Sequence, residues 1–107
     1  MEKGPSTWGE DWTSEFSEEE HFDRHGSEMG FETMEEYSNA ARNFAKSKER
    51  GIKSFRSIDG STQKFNSRTN EFMIISKIGK IVTYFEPERG INYFYEQFDK
   101  YGNYLIV

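Results

Sequence analysis

Two histidines four residues apart, His21 and His25, are the side chains best suited to acid–base chemistry in this 107-residue chain. Imidazole is the one side chain whose ordinary pKa lies between pH 5 and 8. Residues i and i+4 share one face of a helix, and Arg24 places a cation beside His25. Metal-free cleavage of RNA requires such a group together with cations that hold a phosphate. The alternatives are a pH switch and an ordinary packing or surface role, which is the commoner outcome for a lone histidine pair.

The sequence lacks the patterns of the common metal and cofactor sites. It has no cysteine, which excludes a disulfide scaffold, thiol chemistry and cysteine-ligated zinc. Nothing in it resembles the HExxH pattern, and neither the GxGxxG nor the P-loop pattern occurs. We therefore expect no metal ion and no cofactor.

A hydroxyl and an aromatic ring, Thr83 and Phe85, alternate onto one face of a predicted strand, with Val82 and Tyr84 on the other. The pair can donate a hydrogen bond to a phosphate and stack a base. The alternative is that a Thr-x-Phe pair is simply good strand sequence. Arg56 lies inside another predicted strand, where its charge must face solvent, a site or a partner.

The net charge of −5 hides a strong asymmetry along the chain. Residues 1–20 hold seven acidic residues and one lysine, whereas residues 42–68 hold eight basic residues and two acidic ones. A local basic segment of this kind is typical of a phosphate-binding surface. The alternative is a solvated helix end followed by a lysine-guarded sheet edge. The basic residues of this segment are Arg42, Lys46, Lys48, Arg50, Lys53, Arg56, Lys64 and Arg68.

The first half of the chain predicts two helices after an N-terminal linker. Residues 1–16 are rich in Gly, Pro, Ser, Thr and acids, although an aromatic residue every four positions suggests that part of the segment docks. A capping box at Ser17 and Glu20 predicts a helix over 18–29, and a second at Thr33 and Glu36 predicts one over 33–50.

After Gly51 the hydrophobic period changes to two, which predicts four antiparallel strands between residues 52 and 86. The dipeptide Asp59-Gly60 favours a type I′ hairpin turn, and Arg68-Thr69-Asn70 is typical of another turn. A third helix is predicted over 90–101, and residues 104–107 can add a short edge strand. The fold class is therefore α+β, with one domain over 17–107. A mean hydropathy of −0.93 and the lack of a long apolar run exclude a membrane span.

Three runs of the sequence resemble parts of the C-terminal nuclease toxin domains of bacterial polymorphic and contact-dependent growth-inhibition systems. The run HFDRHGSEMGF at 21–31 is similar to their HxxxHGxEFG-like opening. The runs RTNEF at 68–72 and GKIVTYFEP at 79–87 are similar to two strands of their sheet. The sequence departs from the pattern at Met29, where Phe is usual, and at Arg24, where a lysine commonly adjoins the histidine.

These domains belong to the superfamily that joins barnase, EndoU, colicin and RelE-type nucleases, with the tRNA-cleaving colicin D as a relative. The resemblance implies N-terminal helices followed by an antiparallel sheet, and metal-independent RNA cleavage that leaves a 2′,3′-cyclic phosphate. It makes His25 the best acid–base candidate and pairs Thr83 with Phe85 in the site. The candidate catalytic residues are His25, His21, Thr83, Arg56 and Arg68. The candidate substrate-binding residues are Arg24, Lys53, Thr69, Tyr84 and Phe85.

The resemblance also implies partners and a location. The substrate implied by the resemblance is RNA, with tRNA as the kind of RNA that the relative colicin D cleaves. A cognate immunity protein would block the active face in the producing cell. The domain would be delivered as part of a longer secreted or surface effector and act in the cytoplasm of a target bacterium. Two other classes stay open: a non-catalytic RNA- or protein-binding module, and an immunity or inhibitor protein, which would suit the acidic net charge.

Overall fold

Three helices and a five-stranded antiparallel sheet make up the computed structural model, which describes residues 8–105. The helices are α1 (Glu15–His21), α2 (Met34–Lys46) and α3 (Ile91–Tyr101), and a π-helical turn, Phe22–Gly26, follows α1 directly. The strands are β1 (Ile52–Ser57), β2 (Thr62–Asn66), β3 (Glu71–Ile75), β4 (Ile81–Phe85) and β5 (Gly102–Leu105). The predicted α+β class is confirmed. No helix of the described part is long and apolar enough to cross a membrane.

The first predicted helix, over 18–29, is wrong in both its start and its end. Ser14 rather than Ser17 caps α1, because its side chain accepts the backbone N–H of Ser17 at 3.0 Å. After His21 the chain widens into the π-helical turn. There the Phe22 ring packs over Gly26, where a Cβ would lie 2.4 Å from the ring.

The second capping box is confirmed at the start of α2. The Thr33 side chain accepts the N–H of Glu36, and the Glu36 carboxylate accepts the N–H of Thr33. The helix ends at Lys46 instead of residue 50. Its last carbonyls are satisfied by the buried Lys64, whose Nζ donates to the carbonyl oxygens of Ala45 and Ser47 at 3.2 and 3.0 Å.

Removing this cap gives a testable change in stability. Thr33→Ala lowers the free energy of unfolding by about 1 kcal/mol, because the N–H of Glu36 loses its partner. Glu36→Gln has a smaller effect, since glutamine also completes a capping box. Urea denaturation of both variants measures the difference, and equal midpoints for Thr33→Ala and the parent would contradict it.

The sheet has the order β4-β3-β2-β1-β5, so the predicted four-strand meander is confirmed. The edge strand predicted at 104–107 lies at 102–105, and residues 106 and 107 fall outside the described part. The type I′ turn predicted at Asp59-Gly60 is wrong. Such a turn needs a positive φ at both residues, and of these two Gly60 alone has one, of 93°. Ser57 accepts the N–H of Gly60 at 2.9 Å and donates to the carbonyl of Ser61, which closes a three-residue loop.

The two faces of the sheet bury separate aromatic clusters. One cluster lies against α2 and includes Tyr37, Phe44, Met73 and Tyr84. The other lies against α3 and consists of Phe55, Phe65, Phe72 and Phe94, none of which is more than 1% exposed. Ile81 and Tyr84 of β4 both lie on the α2 side, because a register shift between them leaves Val82 without a cross-strand partner. Thr83 and Phe85 pair with Ile74 and Phe72 on the α3 side, as predicted, whereas the predicted shared face of Val82 and Tyr84 is wrong.

Part of the predicted linker belongs to the fold, because residues 9–13 run along the outer edge of β4. Gly9 donates to the carbonyl of Gly79 at 2.8 Å, and Ile81 exchanges backbone hydrogen bonds with Asp11 and Thr13. Trp12 is only 5% exposed, so the docking buries a large indole ring in the cluster beneath α2.

Candidate functional site

The two histidines lie at the β4 edge of the sheet, in a column of aromatic rings. The ring centroids of His21 and His25 are 6.0 Å apart, so the predicted shared face is confirmed. The His25 ring stacks on Phe85 at 5.0 Å, and the His21 ring lies 5.5 Å from Trp12. β4 and the docked N-terminal segment therefore hold both imidazoles in place.

A backbone carbonyl orients the ring of His21. Its Nδ1 lies 2.8 Å from the carbonyl oxygen of Ser17, one helical turn earlier in α1, and must donate to it. In the neutral ring the proton is therefore on Nδ1, and Nε2 carries the lone pair. Nε2 is the nitrogen that can exchange a proton with a substrate.

His25 is the more enclosed histidine, with a side chain that is 19% exposed. Its buried Nδ1 has no hydrogen-bond partner among the described residues, and the nearest carboxylate oxygen, on Glu28, is 3.8 Å away. Burial lowers the pKa of His25 below 6.5, the nearby His21 lowers it further, and Glu28 partly opposes both. The imidazole is therefore mostly neutral at pH 7 and able to accept a proton.

Glu86 is a candidate acid that the sequence analysis missed. It follows Phe85 directly, and burial together with the charges of Glu71 and Glu28 raises its pKa. Glu28 thus acts electrostatically on both Glu86 and His25. A carboxyl group with a raised pKa keeps its proton to a higher pH than usual, which suits a general acid. A lone Glu after a strand carries no sequence signal for this role.

Thr83 and Phe85 share a sheet face, but Tyr84 is unavailable to a substrate. Thr83 is half-buried on β4, two residues from the ring that supports His25. Tyr84 is 1% exposed and packs on Tyr37 in the core, and its hydroxyl donates to Glu71. The substrate-binding role predicted for Tyr84 is therefore replaced by a structural one.

Four of the predicted polar residues have other neighbours. Arg56 and Lys53 lie on β1, which β2 and β3 separate from β4, a distance of about 14 Å across three strand spacings. Arg68 lies in the turn after β2, with Nη1 3.4 Å from an oxygen of Glu49. Thr69 donates to Glu71 at 2.6 Å. The structure does not bring Arg56, Lys53 or Arg68 to the histidines.

Acidic groups outnumber the predicted cations at the end of β4 that holds His25. Arg24 is the one predicted cation beside it, with a side chain that is 61% exposed and lies 3.7 Å from Glu20. Glu28, Glu71 and Glu86 are the acidic groups whose charges act on this end of β4. A phosphate bound here therefore depends on Arg24 and on neutral donors.

The basic segment 42–68 forms a different site, which we call the basic cleft. This cleft of about 810 Å³ opens at the C-terminal end of α2, and its basic lining residues are Lys46, Lys48, Arg50 and Lys64. Glu10 of the docked N-terminal segment forms an ion pair with Lys46, and its carbonyl accepts from Arg42 at 2.8 Å. The acidic N-terminal segment therefore neutralises part of the basic segment.

Lys64 is the buried cation of the basic cleft and gives the chain a pH-dependent stability. The residue is 7% exposed, and burial lowers its pKa from 10.5 to about 8. Between these pH values the unfolded chain holds a proton that the folded chain has released. Unfolding takes up a proton there, so a rise in pH stabilises the folded state.

We expect the parent to gain about 3 kcal/mol of unfolding free energy relative to Lys64→Met between pH 7 and pH 10.5. The comparison with Lys64→Met removes the contribution of every other titrating group. Urea denaturation of both proteins across this range measures it. A constant difference between the two proteins would mean that Lys64 stays charged in the folded state.

Comparison with known proteins finds no related family or curated protein for this sequence. No protein-family model and no curated protein matches the sequence. Within residues 8–105, no three His, Cys, Asp or Glu side chains are grouped so that they could hold a metal ion. Support for a function therefore comes from the side chains at the β4 edge, the basic cleft and the motifs at 21–31 and 68–87.

Proposed function

We propose that this chain is a metal-independent ribonuclease domain in which His25 is the general base. The observation that carries the proposal is the His25 ring, which is stacked on Phe85, partly exposed, and kept mostly neutral at pH 7 by its lowered pKa. A neutral imidazole of this kind can deprotonate a hydroxyl. The resemblance of residues 21–31 and 68–87 to nuclease toxin domains supports RNA as the substrate.

In the proposed reaction His25 takes the proton of a ribose 2′-hydroxyl, whose oxygen attacks the adjacent phosphorus. The bond from phosphorus to the 5′-oxygen breaks, and the leaving oxygen takes a proton from Nε2 of a protonated His21. The products are a 2′,3′-cyclic phosphate and a 5′-hydroxyl. The hydroxyl of Thr83 and the guanidinium of Arg24 are the donors proposed for the phosphate oxygens.

Phe85 has a different role in this proposal from the stacking platform predicted earlier. Its ring contacts His25, Phe72 and Tyr93, with centroid distances between 5.0 and 5.6 Å. Little of the ring is left for a base. Phe85 is therefore proposed as a positioning residue that fixes the plane of the His25 imidazole.

The finer parts of the proposal rest on the family resemblance alone. They are tRNA as the preferred RNA, delivery within a longer effector into a target cell, and an immunity protein in the producing cell. The basic cleft offers such an immunity protein a positively charged surface, with which an acidic surface would associate rapidly at low salt.

The proposal is tested by incubating the purified protein with total tRNA in EDTA and mapping the cut ends. We expect cleavage in EDTA, with a cyclic phosphate on one side of the cut and a 5′-hydroxyl on the other. Products with a 5′-phosphate, or a requirement for added Mg²⁺, would refute this mechanism. Intact RNA at high protein concentration would refute ribonuclease activity.

The basic cleft favours a second candidate function, a module that binds RNA or an acidic protein without cutting it. Its cations lie away from the histidines, so binding there needs no catalysis. Induced expression in a bacterium that lacks a partner gene separates the two functions. The ribonuclease arrests growth, whereas a binding module or an inhibitor is harmless.

A further inference from the structure

A second cleft, which we call the neutral cleft, lies between α3 and the sheet, at the end where the two hairpin turns sit. It has a volume of about 880 Å³, within the usual range for small-molecule sites. The side of α3 that faces it carries Tyr93, Gln97 and Tyr101, spaced four residues apart. The sheet side includes Gln63 and Ile74, which are direct cross-strand neighbours.

Gln63, one of the lining residues, carries a buried polar atom without a partner. The residue is 4% exposed, and its Nε2 donates to the Ser57 hydroxyl at 3.2 Å. Its Oε1 is buried and has no hydrogen-bond partner among the described residues. If the amide turns over, Ser57 donates to Oε1 and the NH₂ group is left unpaired instead. Buried amides are rarely left in this state, so a group from outside the chain, a water molecule or a ligand that displaces it, completes the amide.

The lining of the neutral cleft selects for an uncharged, ring-shaped ligand. Its two charged residues are Asp59 and Lys77. The Asp59 carboxylate already accepts the N–H and the hydroxyl of Ser61, which lower its pKa, and the stem of Lys77 lies over Gly60. The rest of the lining is uncharged and consists of tyrosine rings, the amides of Gln63 and Gln97, serine hydroxyls and aliphatic side chains. An amide end can accept from or donate to the edge of a nucleobase, and tyrosine rings stack on its face.

We propose that the neutral cleft binds a single nucleobase, read by Gln63 and stacked on the tyrosines of α3. The cleft adjoins the histidine site, because the Tyr93 ring contacts Phe85 at 5.6 Å and Phe85 supports His25. A base held there would bring its attached phosphodiester towards Thr83 and His25. The choice of a nucleobase over other neutral rings rests on the proposed ribonuclease function, whereas the cleft and its unpaired amide do not.

The direct test is a titration of the ¹⁵N-labelled protein with adenosine, guanosine, cytidine and uridine, each followed by backbone NMR. We expect saturable shifts at Ser61, Ile74, Val82 and Gln97 with at least one nucleoside. Toluene, which has a ring but no hydrogen-bonding edge, should bind more weakly. The proposal is overturned if no nucleoside gives saturable shifts up to its solubility limit, or if toluene binds as well as every nucleoside.

Two variants with one matched control locate the binding. Gln63→Met keeps the length of the side chain and removes the unpaired amide, so it should be as stable as the parent but bind the nucleoside about 10-fold more weakly. Tyr101→Leu should weaken binding at least 5-fold through lost stacking. Tyr95→Leu is the control, because Tyr95 has a similar exposure on α3 but does not line the cleft. Unchanged affinity in Gln63→Met would overturn the assignment of the reading residue.

The titration is independent of cleavage, so the two proposals can fail separately. Nucleoside binding without any RNA cleavage supports nucleobase binding in the neutral cleft and refutes the proposed ribonuclease activity. Cleavage without nucleoside binding refutes the cleft alone. A trinucleotide titrated into His25→Ala distinguishes the source of the base. Binding of the trinucleotide indicates a base within RNA, and binding of the nucleoside alone indicates a free nucleoside as the ligand.

Discussion

His25→Ala lowers the rate of RNA cleavage by roughly 10²–10⁴-fold, the usual effect of removing a positioned acid–base group. The variant still folds, because the partly exposed side chain contributes only its ring contacts with Phe85 and His21, of which the stacked contact with Phe85 is worth about 1 kcal/mol. The rate is measured on the tRNA species that the parent cuts, and folding is followed by thermal unfolding.

Two controls separate catalysis from stability in this experiment. Thr33→Ala loses a similar amount of stability at the start of α2, where the Thr33 cap bonds only to Glu36 and not to a histidine, and should cleave at the parent's rate. The parent's rate should also fall on acidification through the lowered pKa of His25, below pH 6.5, because the base must be neutral. A His25→Ala protein that still cleaves at the parent's rate removes this residue from the mechanism.

Phe94→Ala lowers the free energy of unfolding by about 3–5 kcal/mol. Phe94 is fully buried and contacts Phe55 and Phe65, so it is the main anchor of α3 on the sheet. Small domains have only about 5–15 kcal/mol of stability, so the loss is a large fraction of the total. Urea denaturation measures it, under conditions where the parent is fully folded.

Tyr95→Ala is the matched control for this prediction. Tyr95 is the next residue of α3, is 43% exposed, and should change the stability by no more than about 1 kcal/mol. A Phe94→Ala protein that unfolds within 1 kcal/mol of the parent would show that α3 contributes little to the core. The neutral cleft would then lack a rigid wall.

The order of the elements could be predicted from the sequence, because each segment with a helical or strand period is long and is bounded by capping or turn residues. The capping box at Thr33 and the change of period at Gly51 fixed α2 and the meander. The start of α1 was missed because Ser14 and Ser17 offer equivalent hydroxyls, and only the packed structure selects one. The π-helical turn was also missed, since it depends on the Phe22 ring lying over Gly26.

The candidate site was only partly predictable for a similar reason. Helical spacing was enough to place His21 beside His25, because that contact is local. The grouping of Arg56 with these histidines followed the resemblance and not the meander order, which puts β1 and β4 three positions apart. Glu86 and Gln63 carried no local signal at all. Their importance comes from burial and from neighbours distant in sequence.

The docked segment 9–13 has a consequence for the rate and order of folding. Short turns join β1 to β4, so these hairpins can form within microseconds. Residues 9–13 reach β4 only by closing a loop of about seventy residues, and contacts of such high contact order form later. For an interval the outer edge of β4 is therefore open to a strand from another molecule. Refolding at high protein concentration should favour intermolecular pairing along β4, and a chain that lacks residues 9–13 would keep that hazard after folding.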